Sequence, residues 1–130
     1  MIAMFNGVNF STFNNVNSTC YIGSKLDSKF DDNGNEISTY DKPQKYRFNI
    51  QPVSSTSDIQ EFGENANKMK VAVITNRKKY EGKFKEFDCA YLDGATPEGE
   101  SINGEKANYR VYSVQNQNVA IRVFFMKLTK

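Results

Sequence analysis

The most regular alternation of apolar and polar positions in the chain lies in residues 45–53. Tyr46, Phe48 and Ile50 fall on one side of this segment, because successive side chains in a β-strand point to opposite faces. Pro52 lacks an amide hydrogen and predicts the end of regular pairing. We therefore expect a half-buried strand over these nine residues.

Two other segments, residues 69–75 and 119–128, are largely apolar on both faces. This pattern is typical of a strand inside a sheet and not at its edge. The second segment closes the sequence, and we expect it to be central in the fold or covered by a partner chain. Its faces carry Val119, Ile121, Val123 and Phe125 on one side and Phe124, Met126 and Leu128 on the other.

Turn-forming residues separate further short strands. The segment 107–114 precedes the run Gln-Asn-Gln-Asn at 115–118 and is predicted to form a hairpin with the last strand. A short apolar run at 88–92 predicts another strand. Between these two, residues 95–106 combine Pro, Gly and three Glu, which predicts an exposed loop.

An acidic, Asn-rich run occupies residues 31–36. Its Asn-Gly pair favours the positive φ angles of a tight turn, which predicts a hairpin between segments 20–26 and 36–40. The run superficially resembles a calcium loop but lacks a carboxylate at every second position. Lys42 also stands where the bidentate Glu of such a loop would fall. We therefore predict a turn here and no metal site.

Helical signals are confined to residues 54–67. Ser57 is the predicted N-cap, and Ile59 and Phe62 are spaced three apart, as on one helix face. Gly63 predicts the end of the helix. One short helix is therefore expected.

The pattern as a whole predicts an all-β fold with about seven strands and at most one short helix. Strand–helix alternation, which would indicate a parallel sheet, is missing from the pattern. We expect a small antiparallel β-barrel or sandwich with long loops. A length of 130 residues supports one core, so we assign a single β-barrel domain to residues 20–130.

Residues 1–19 are rich in Asn, Ser and Phe and are predicted to form an N-terminal arm. Phe5, Phe10 and Phe13 are spaced too irregularly to define one helical or strand face. We expect them to form an interface, with a neighbouring subunit or with the sheet of the same domain. The alternative is a partly frayed terminus.

Composition limits the possible functions. The net charge is only +2, so the chain lacks the global basic field typical of a dedicated duplex-DNA binder. No basic leader is present, and no apolar run approaches the roughly 20 residues of a membrane span. We expect a soluble protein without a membrane partner.

Catalytic, metal and cofactor chemistry finds little support in the residues. The chain has no His, the commonest general base and metal ligand. Cys20 and Cys89 are isolated, and Cys89 lies in an apolar run where burial raises a thiol pKa. We expect reduced, packed thiols and assign no catalytic, metal or cofactor residue. An enzyme remains a third, weaker hypothesis.

A cluster of basic residues is the feature of the sequence that most strongly suggests a binding function. Between positions 68 and 85 the chain has seven basic residues and one acidic residue, with Tyr80 and Phe84 interleaved. The cluster can face DNA in a channel, bind an acidic surface of a neighbouring copy, or remain solvated. The candidate residues of the basic loop are Arg77, Lys78, Lys79, Lys83 and Lys85, with Lys68 and Lys70 upstream.

The exposed loop predicted at 95–106 offers a complementary acidic surface. Glu98, Glu100 and Glu105 are candidates for an interface with the basic loop of an adjacent copy. Opposite charges steer such contacts and fix their register.

The segment Phe87–Leu128 resembles a known family of virus proteins. It combines a Tyr-Leu-Asp-Gly strand end, a Pro-Glu-Gly-Glu loop, Ala-Asn-Tyr-Arg-Val leading into Ser-Val-Gln-Asn-Gln-Asn, and a closing aliphatic and aromatic strand. This order is similar to stopper, or head-closure, proteins of the head-to-tail connector of tailed bacteriophages. Residues 46–75 resemble the family more loosely.

The resemblance implies a virion structural protein of the phage neck, assembled in the host bacterial cytoplasm. Such a protein forms a homo-oligomeric ring between portal or adaptor proteins on the head side and a tail terminator or tail tube on the tail side. The ring closes the DNA exit channel, and packaged double-stranded DNA is a possible partner in its lumen. The alternatives are another neck protein, either an adaptor or a tail terminator, and an OB-like module that binds single-stranded nucleic acid.

Overall fold

The structure is a computed structural model, and it describes residues 17–129. The strands of the central sheet are β1 (Ser18–Gly23), β4 (Gln44–Pro52), β5 (Met69–Ile74), β6 (Cys89–Tyr91), β7 (Tyr109–Asn116) and β8 (Ile121–Lys127). The other elements are β2 (Lys29–Phe30), β3 (Glu36–Ile37), helix α1 (Thr56–Phe62), a 3₁₀ segment (Gly63–Lys68) and a single helical turn, α2 (Arg77–Tyr80).

Six strands close into an antiparallel barrel in the order β1-β4-β5-β8-β7-β6. The barrel closes because β6 pairs back onto β1, with Tyr21 opposite Tyr91 and Gly23 opposite Cys89. Closure leaves the central sheet without an edge strand. The predicted all-β class and small antiparallel barrel are confirmed, and α1 is the one α-helix of more than a single turn in the described part.

The barrel interior is filled by alternate residues of these strands. Val111, Val123 and Phe125 are fully buried there, and Phe48 and Ile121 are nearly so. The prediction that Ile121, Val123 and Phe125 share a core face is therefore confirmed.

A second cluster lies on the outer face of β5 and β8, where α1 covers the barrel. Phe124 is fully buried and packs on Phe62 of α1 with ring centroids 4.8 Å apart. Val71 and Met69 of β5 complete the cluster. Both predicted two-sided strands, β5 and β8, are thus buried on both faces.

Because every pairing is antiparallel, successive connections leave opposite ends of the barrel. We call these the Gly23 end and the Ser18 end, after the two ends of β1. The Gly23 end carries the connections 24–43, 75–88 and 117–120. The Ser18 end carries the connections 53–68 and 92–108.

The predicted hairpin around residues 31–36 exists, but its strands differ from those predicted. The segment that begins at Cys20 pairs with β4 and β6 as part of the barrel. The two-residue strands next to the turn are β2 and β3, with Lys29 opposite Ile37 and Phe30 opposite Glu36. The prediction is right in part, because the ends of the two predicted segments pair through an antiparallel bridge between Lys25 and Tyr40, with a hydrogen bond from the Leu26 amide to the Thr39 carbonyl at 2.8 Å. It was wrong for residues 20–23, which find their partners in the barrel.

Local details of the helices also differ from the predictions. Ser55, not Ser57, caps α1 by accepting a hydrogen bond from the Asp58 amide at 3.2 Å. Ile59 is exposed, while Phe62 packs on the barrel. Gly63 ends the helix as predicted, with a φ of 60°. The loop predicted at 77–86 contains the turn α2.

The domain boundary shifts by two residues, because Ser18 and Thr19, assigned to the arm, belong to β1. The predicted interface residues Phe5, Phe10 and Phe13 lie outside the described residues. At the other end of the chain, Val119 was predicted to share the core face of β8. It lies in the β7–β8 turn and is 80% exposed.

Candidate functional site

The basic loop, residues 77–85, is fixed to the barrel by its aromatic side chains. Phe84 is buried, and its ring packs edge-on against Tyr46, with centroids 5.3 Å apart. Tyr80 packs edge-on against Phe48 at 5.2 Å. Such edge-to-face pairs each contribute about 0.5–1.5 kcal/mol beyond area burial. The aromatic rings therefore anchor the loop to the barrel.

The strand register explains why this part of the barrel accepts aromatic rings. The first half of β4 pairs with β1, up to Phe48, whereas its second half pairs with β5 from Asn49 onward. Beyond Val73, β5 continues along β8. A groove of about 540 Å³ lies where β4 and β5 diverge, lined by Asn17, Arg47, Phe48, Asn49, Val73, Ile74, Thr75, Asn76 and Tyr80.

The charged groups of the basic loop point away from this core. Lys78, Lys79, Lys83 and Lys85 are exposed. Arg77 forms an ion pair with Glu81 at 2.9 Å, one turn further along the chain. A pair this exposed contributes about 0.3–0.5 kcal/mol. The loop therefore presents several cations on a backbone that the aromatic rings hold in place.

Two of the lysines lie over aromatic rings. The Lys79 ammonium is 5.3 Å from the centroid of the Tyr80 ring, and that of Lys83 is 5.7 Å from the centroid of the Tyr46 ring. Cation–π contacts at exposed sites are worth about 0.5–1 kcal/mol. They orient these two ammonium groups without neutralising them.

A buried carboxylate anchors the end of the loop. Asp88 is fully buried and accepts hydrogen bonds from the backbone amides of Lys25 and Lys85, both at 2.9 Å. Burial raises the pKa of Asp88, and the two amide donors partly oppose that rise. The side chain joins the two long connections at the Gly23 end, which are otherwise distant in sequence.

Phe87, next to this anchor, is held in an unusual position. Its φ is 75°, in the left-handed region that residues other than Gly rarely occupy, and its side chain is 52% exposed. Arg110 and Lys25 lie over the ring at 5.4 and 5.7 Å. Cation contacts and the adjacent Asp88 hydrogen bonds hold this conformation.

The acidic loop, residues 95–106, leaves the Ser18 end, and two of its three carboxylates accept hydrogen bonds from within the domain. Glu100 accepts hydrogen bonds from the Tyr91 hydroxyl at 2.7 Å and from the Gly104 amide at 3.2 Å. Tyr91 is fully buried, and burial together with Glu100 raises its pKa. Glu105 accepts a hydrogen bond from the Ile102 amide at 3.0 Å. Glu98 is exposed.

This arrangement changes the predicted role of the acidic residues. Glu100 is half-buried and ties the loop to Tyr91 of β6, so it has a structural role within this domain. Glu105 accepts a hydrogen bond from within the loop, and Glu98 and Glu105 are the predicted interface residues that are exposed. The basic and acidic loops leave opposite ends of the barrel, but the acidic loop folds back towards the Gly23 end, where Asn103 donates a hydrogen bond to the Tyr40 carbonyl at 3.3 Å.

Sequence reasoning missed Asp88 and the ion pair between Asp58 and Arg122. Arg122 on β8 donates through both terminal nitrogens to the Asp58 carboxylate of α1, one of them at 3.2 Å. Partners 63 and 64 residues apart leave no local pattern to find. The remaining signal is weak: an Asp directly before the apolar run of β6, and a charged side chain on an otherwise apolar strand.

The thiols are packed, as predicted. Cys20 and Cys89 are buried and form no disulfide, and burial raises their pKa values to about 12 and about 11. Neutral thiols are poor nucleophiles. Within residues 17–129, His, Cys, Asp and Glu nowhere gather in a group of three that could hold a metal ion. None of the helices described here is both long and apolar enough to span a bilayer.

Comparison with known proteins identifies a similar fold but gives no information on function. No protein-family model and no curated protein matches the chain. Among solved structures, the chain is similar to the solution structure of protein SF1141 from Shigella flexneri 2a, a structural genomics target. The two are 11% identical, the match covers 95% of this chain and 99% of that chain, and the TM-score is 0.58. At this identity the likeness shows a shared fold alone.

Proposed function

We propose that the protein is a structural component of a tailed-bacteriophage neck, of the stopper type. It forms a ring between the portal or adaptor and the tail, closes the DNA exit channel and docks the tail. In this proposal it is assembled in the host cytoplasm and resides in the virion. The proposal rests on the resemblance of residues 87–128 to head-closure proteins and on the architecture of the Gly23 end.

The main observation behind the proposal is that the aromatic residues of the basic loop pack on the core while its lysines are exposed. Tyr80 and Phe84 are committed to the core cluster, whereas Lys78, Lys79 and Lys83 are exposed. A cation-bearing loop on a rigid scaffold suits a steric and interfacial role, because the charges meet a phosphate or carboxylate without a folding cost at binding. Neither substrate turnover nor a cofactor enters this mechanism.

The OB-like single-strand binder is the second candidate. Such modules stack bases on exposed aromatic side chains within a basic groove. Tyr46 and Phe48, the clearest aromatic pair of the barrel, instead stack on each other at 5.3 Å inside the aromatic cluster. The arrangement therefore favours the ring protein. An adaptor or a tail terminator is a variant of the same proposal.

The test is a triple variant, Lys78→Gln, Lys79→Gln and Lys83→Gln, compared with the wild type by mass photometry and electron microscopy. If the lysines pair with a neighbouring copy, the variant forms fewer rings, and high salt has the same effect on the wild type. If they face DNA, rings form normally but bind a short duplex more weakly. We expect fewer rings, because a ring repeats each contact in every subunit.

A matched control changes three exposed lysines outside the basic cluster: Lys42→Gln, Lys45→Gln and Lys127→Gln. This control alters the net charge equally and should leave both assembly and duplex binding unchanged. Normal rings with normal duplex binding in the triple variant would show that the basic loop is only a solvated face. A wild type that is monomeric and binds single strands tightly would favour the OB-like module.

A further inference from the structure

The hairpin at the Gly23 end exposes large apolar side chains on both of its faces. Phe30 is 69% exposed, and Ile37 and Leu26 are 47% and 45% exposed. Phe30 lies opposite Glu36, and Ile37 lies opposite Lys29, so Phe30 and Ile37 point to opposite faces of the ribbon. A two-stranded ribbon is marginal on its own, and exposed apolar patches mark interaction sites.

The hairpin is also strongly acidic. Residues 24–41 contain five carboxylates and two lysines. The apolar tip residue Phe30 is followed directly by Asp31 and Asp32. Asp31 is partly committed to the turn, because its carboxylate accepts hydrogen bonds from the amides of Asn33 and Asn35 at 2.9 and 2.8 Å. A partner surface for this tip must combine an apolar pocket with positive charge.

The groove between β4 and β5 has these properties. Val73 and Tyr80, both half-buried, provide apolar lining beside the nearly buried Phe48 and Ile74, and the exposed Arg47 provides a cation. Among the described residues that line it there is no carboxylate. Arg77, Lys78 and Lys79 follow directly on its rim residue Asn76. Its volume of about 540 Å³ falls within the range of roughly 300–1,000 Å³ typical of binding clefts.

The positions of the two surfaces suit a contact between copies. The hairpin lies in the β1–β4 connection and the basic loop in the β5–β6 connection, so both leave the Gly23 end. The groove extends along the barrel wall from Asn17 to Thr75 and Asn76, which follow the Gly23 end of β5. In the proposed contact, copies stand side by side with parallel barrel axes, and the hairpin of one meets this Gly23 part of the next copy's groove. The two surfaces share no residue, as a head-to-tail contact that closes a ring requires.

We infer that the hairpin of residues 24–41 is a docking arm whose apolar, acidic tip inserts into the groove beside Tyr80 on a second copy of this chain. The inference deepens the proposed function, since it names the contact that closes the ring. Phe30 fills the apolar part of the groove, and Asp32 and Glu36 face Arg47 and the lysines of the basic loop.

Cross-linking tests the contact directly. An Asn33→Cys variant places a thiol at the hairpin tip, and a Thr75→Cys variant places one in the groove lining. The native thiols are buried, so they interfere little. Mixed and oxidised, the two variants should give a disulfide heterodimer as the main product. The matched control, Asn118→Cys in the exposed β7–β8 turn at the same end, should give at least tenfold less product with Thr75→Cys.

A second variant tests the apolar tip. Phe30→Ser combined with Ile37→Ser should weaken self-association at least tenfold, measured by analytical ultracentrifugation, with an unchanged melting temperature. The matched control is Val119→Ser, which removes an equally exposed apolar side chain at the same end and should associate normally. A tip variant that associates like the wild type, with no heterodimer in the cross-linking test, would overturn the inference.

The outcomes separate this inference from the proposed function. Wild-type rings that persist in the tip variant would reject the docking arm but leave the neck protein standing. Association that depends on the hairpin but stops at open chains or dimers would support the arm and reject the ring. Association lost only on deletion of residues 1–16 would assign the groove to the N-terminal segment and reject the arm. A wild type that remains monomeric at high concentration rejects both.

Discussion

The β5–β8–β7 side of the barrel and the connections at the Gly23 end use apolar residues in opposite ways. Val123 and Phe125 are buried inside the barrel, and Phe124 is buried beneath α1 on the outside. Phe30 and Ile37 in the hairpin are largely exposed. Burial on both faces stabilises the fold, whereas the exposed pair contributes little to folding and is available for a partner. The buried residues stabilise the domain, whereas folding does not account for the exposed apolar residues of the hairpin.

The largest expected effect comes from placing a charge inside the barrel. Val123→Asp buries a carboxylate at a fully enclosed position, which should cost several kcal/mol and unfold a domain of ordinary stability. Val119→Asp puts the same charge at an exposed position in the preceding turn and should change the free energy of unfolding by less than about 0.5 kcal/mol. Urea denaturation followed by circular dichroism measures both. Equal stability of the two variants would show that the core is misplaced.

A smaller, local effect is expected at the junction of the two long connections. Asp88→Ala leaves the amides of Lys25 and Lys85 without their acceptor, at a cost of about 1–3 kcal/mol for each amide that stays buried. Hydrogen exchange should accelerate at these two amides while the amides of β5 and β8 stay protected. If exchange accelerates equally throughout the barrel, Asp88 supports the whole fold and not the Gly23 end alone.

The Asp58–Arg122 ion pair between α1 and β8 should make the stability of the domain depend on pH. The hydrogen bond from Arg122 holds the pKa of Asp58 below its usual value. A lowered folded-state pKa means that the stabilisation is present above the unfolded pKa of about 3.9 and is lost as pH falls through the lower, folded value.

Asp58→Asn removes this titration. The substitution should lower the free energy of unfolding at neutral pH by roughly 1.5–3 kcal/mol, the contribution of a hydrogen bond to a charged group. As the pH is lowered from about 5 through the unfolded pKa of about 3.9, the melting temperature of the variant should fall less than that of the wild type. If the melting temperatures of the two proteins fell by the same amount over this pH range, the assignment of the titration to Asp58 would be contradicted.

The strands whose residues alternate strictly were predictable from the sequence, and the long-range contacts were not. The pattern at Tyr46, Phe48 and Ile50 located β4, because a strand between core and solvent must alternate. Cys20 was misplaced because nothing in its neighbourhood indicates that its strand pairs with β4 and β6. The turn at 31–36 is locally encoded and was found together with β3, which follows it, whereas β2, which precedes it, lay outside the predicted segments.

The candidate site shows the same division. Charge density alone marked Lys78, Lys79 and Lys83, since clustering is a property of the sequence. Burial of Phe84 was not predictable, because a loop has no periodicity to reveal which side chain faces the core. Glu100 was taken for an interface residue because its partner, the Tyr91 hydroxyl, becomes apparent only when the loop is folded.

The central claim is that copies of this domain close into a ring with their Gly23 ends on the same side. Cryo-electron microscopy of the purified protein at increasing concentration tests it most directly. The account predicts closed rings with a central channel, all barrels oriented alike, and each hairpin of residues 24–41 in contact with the neighbouring barrel between β4 and β5. Monomers at every concentration, or two-fold dimers with the Gly23 ends opposed, would contradict it.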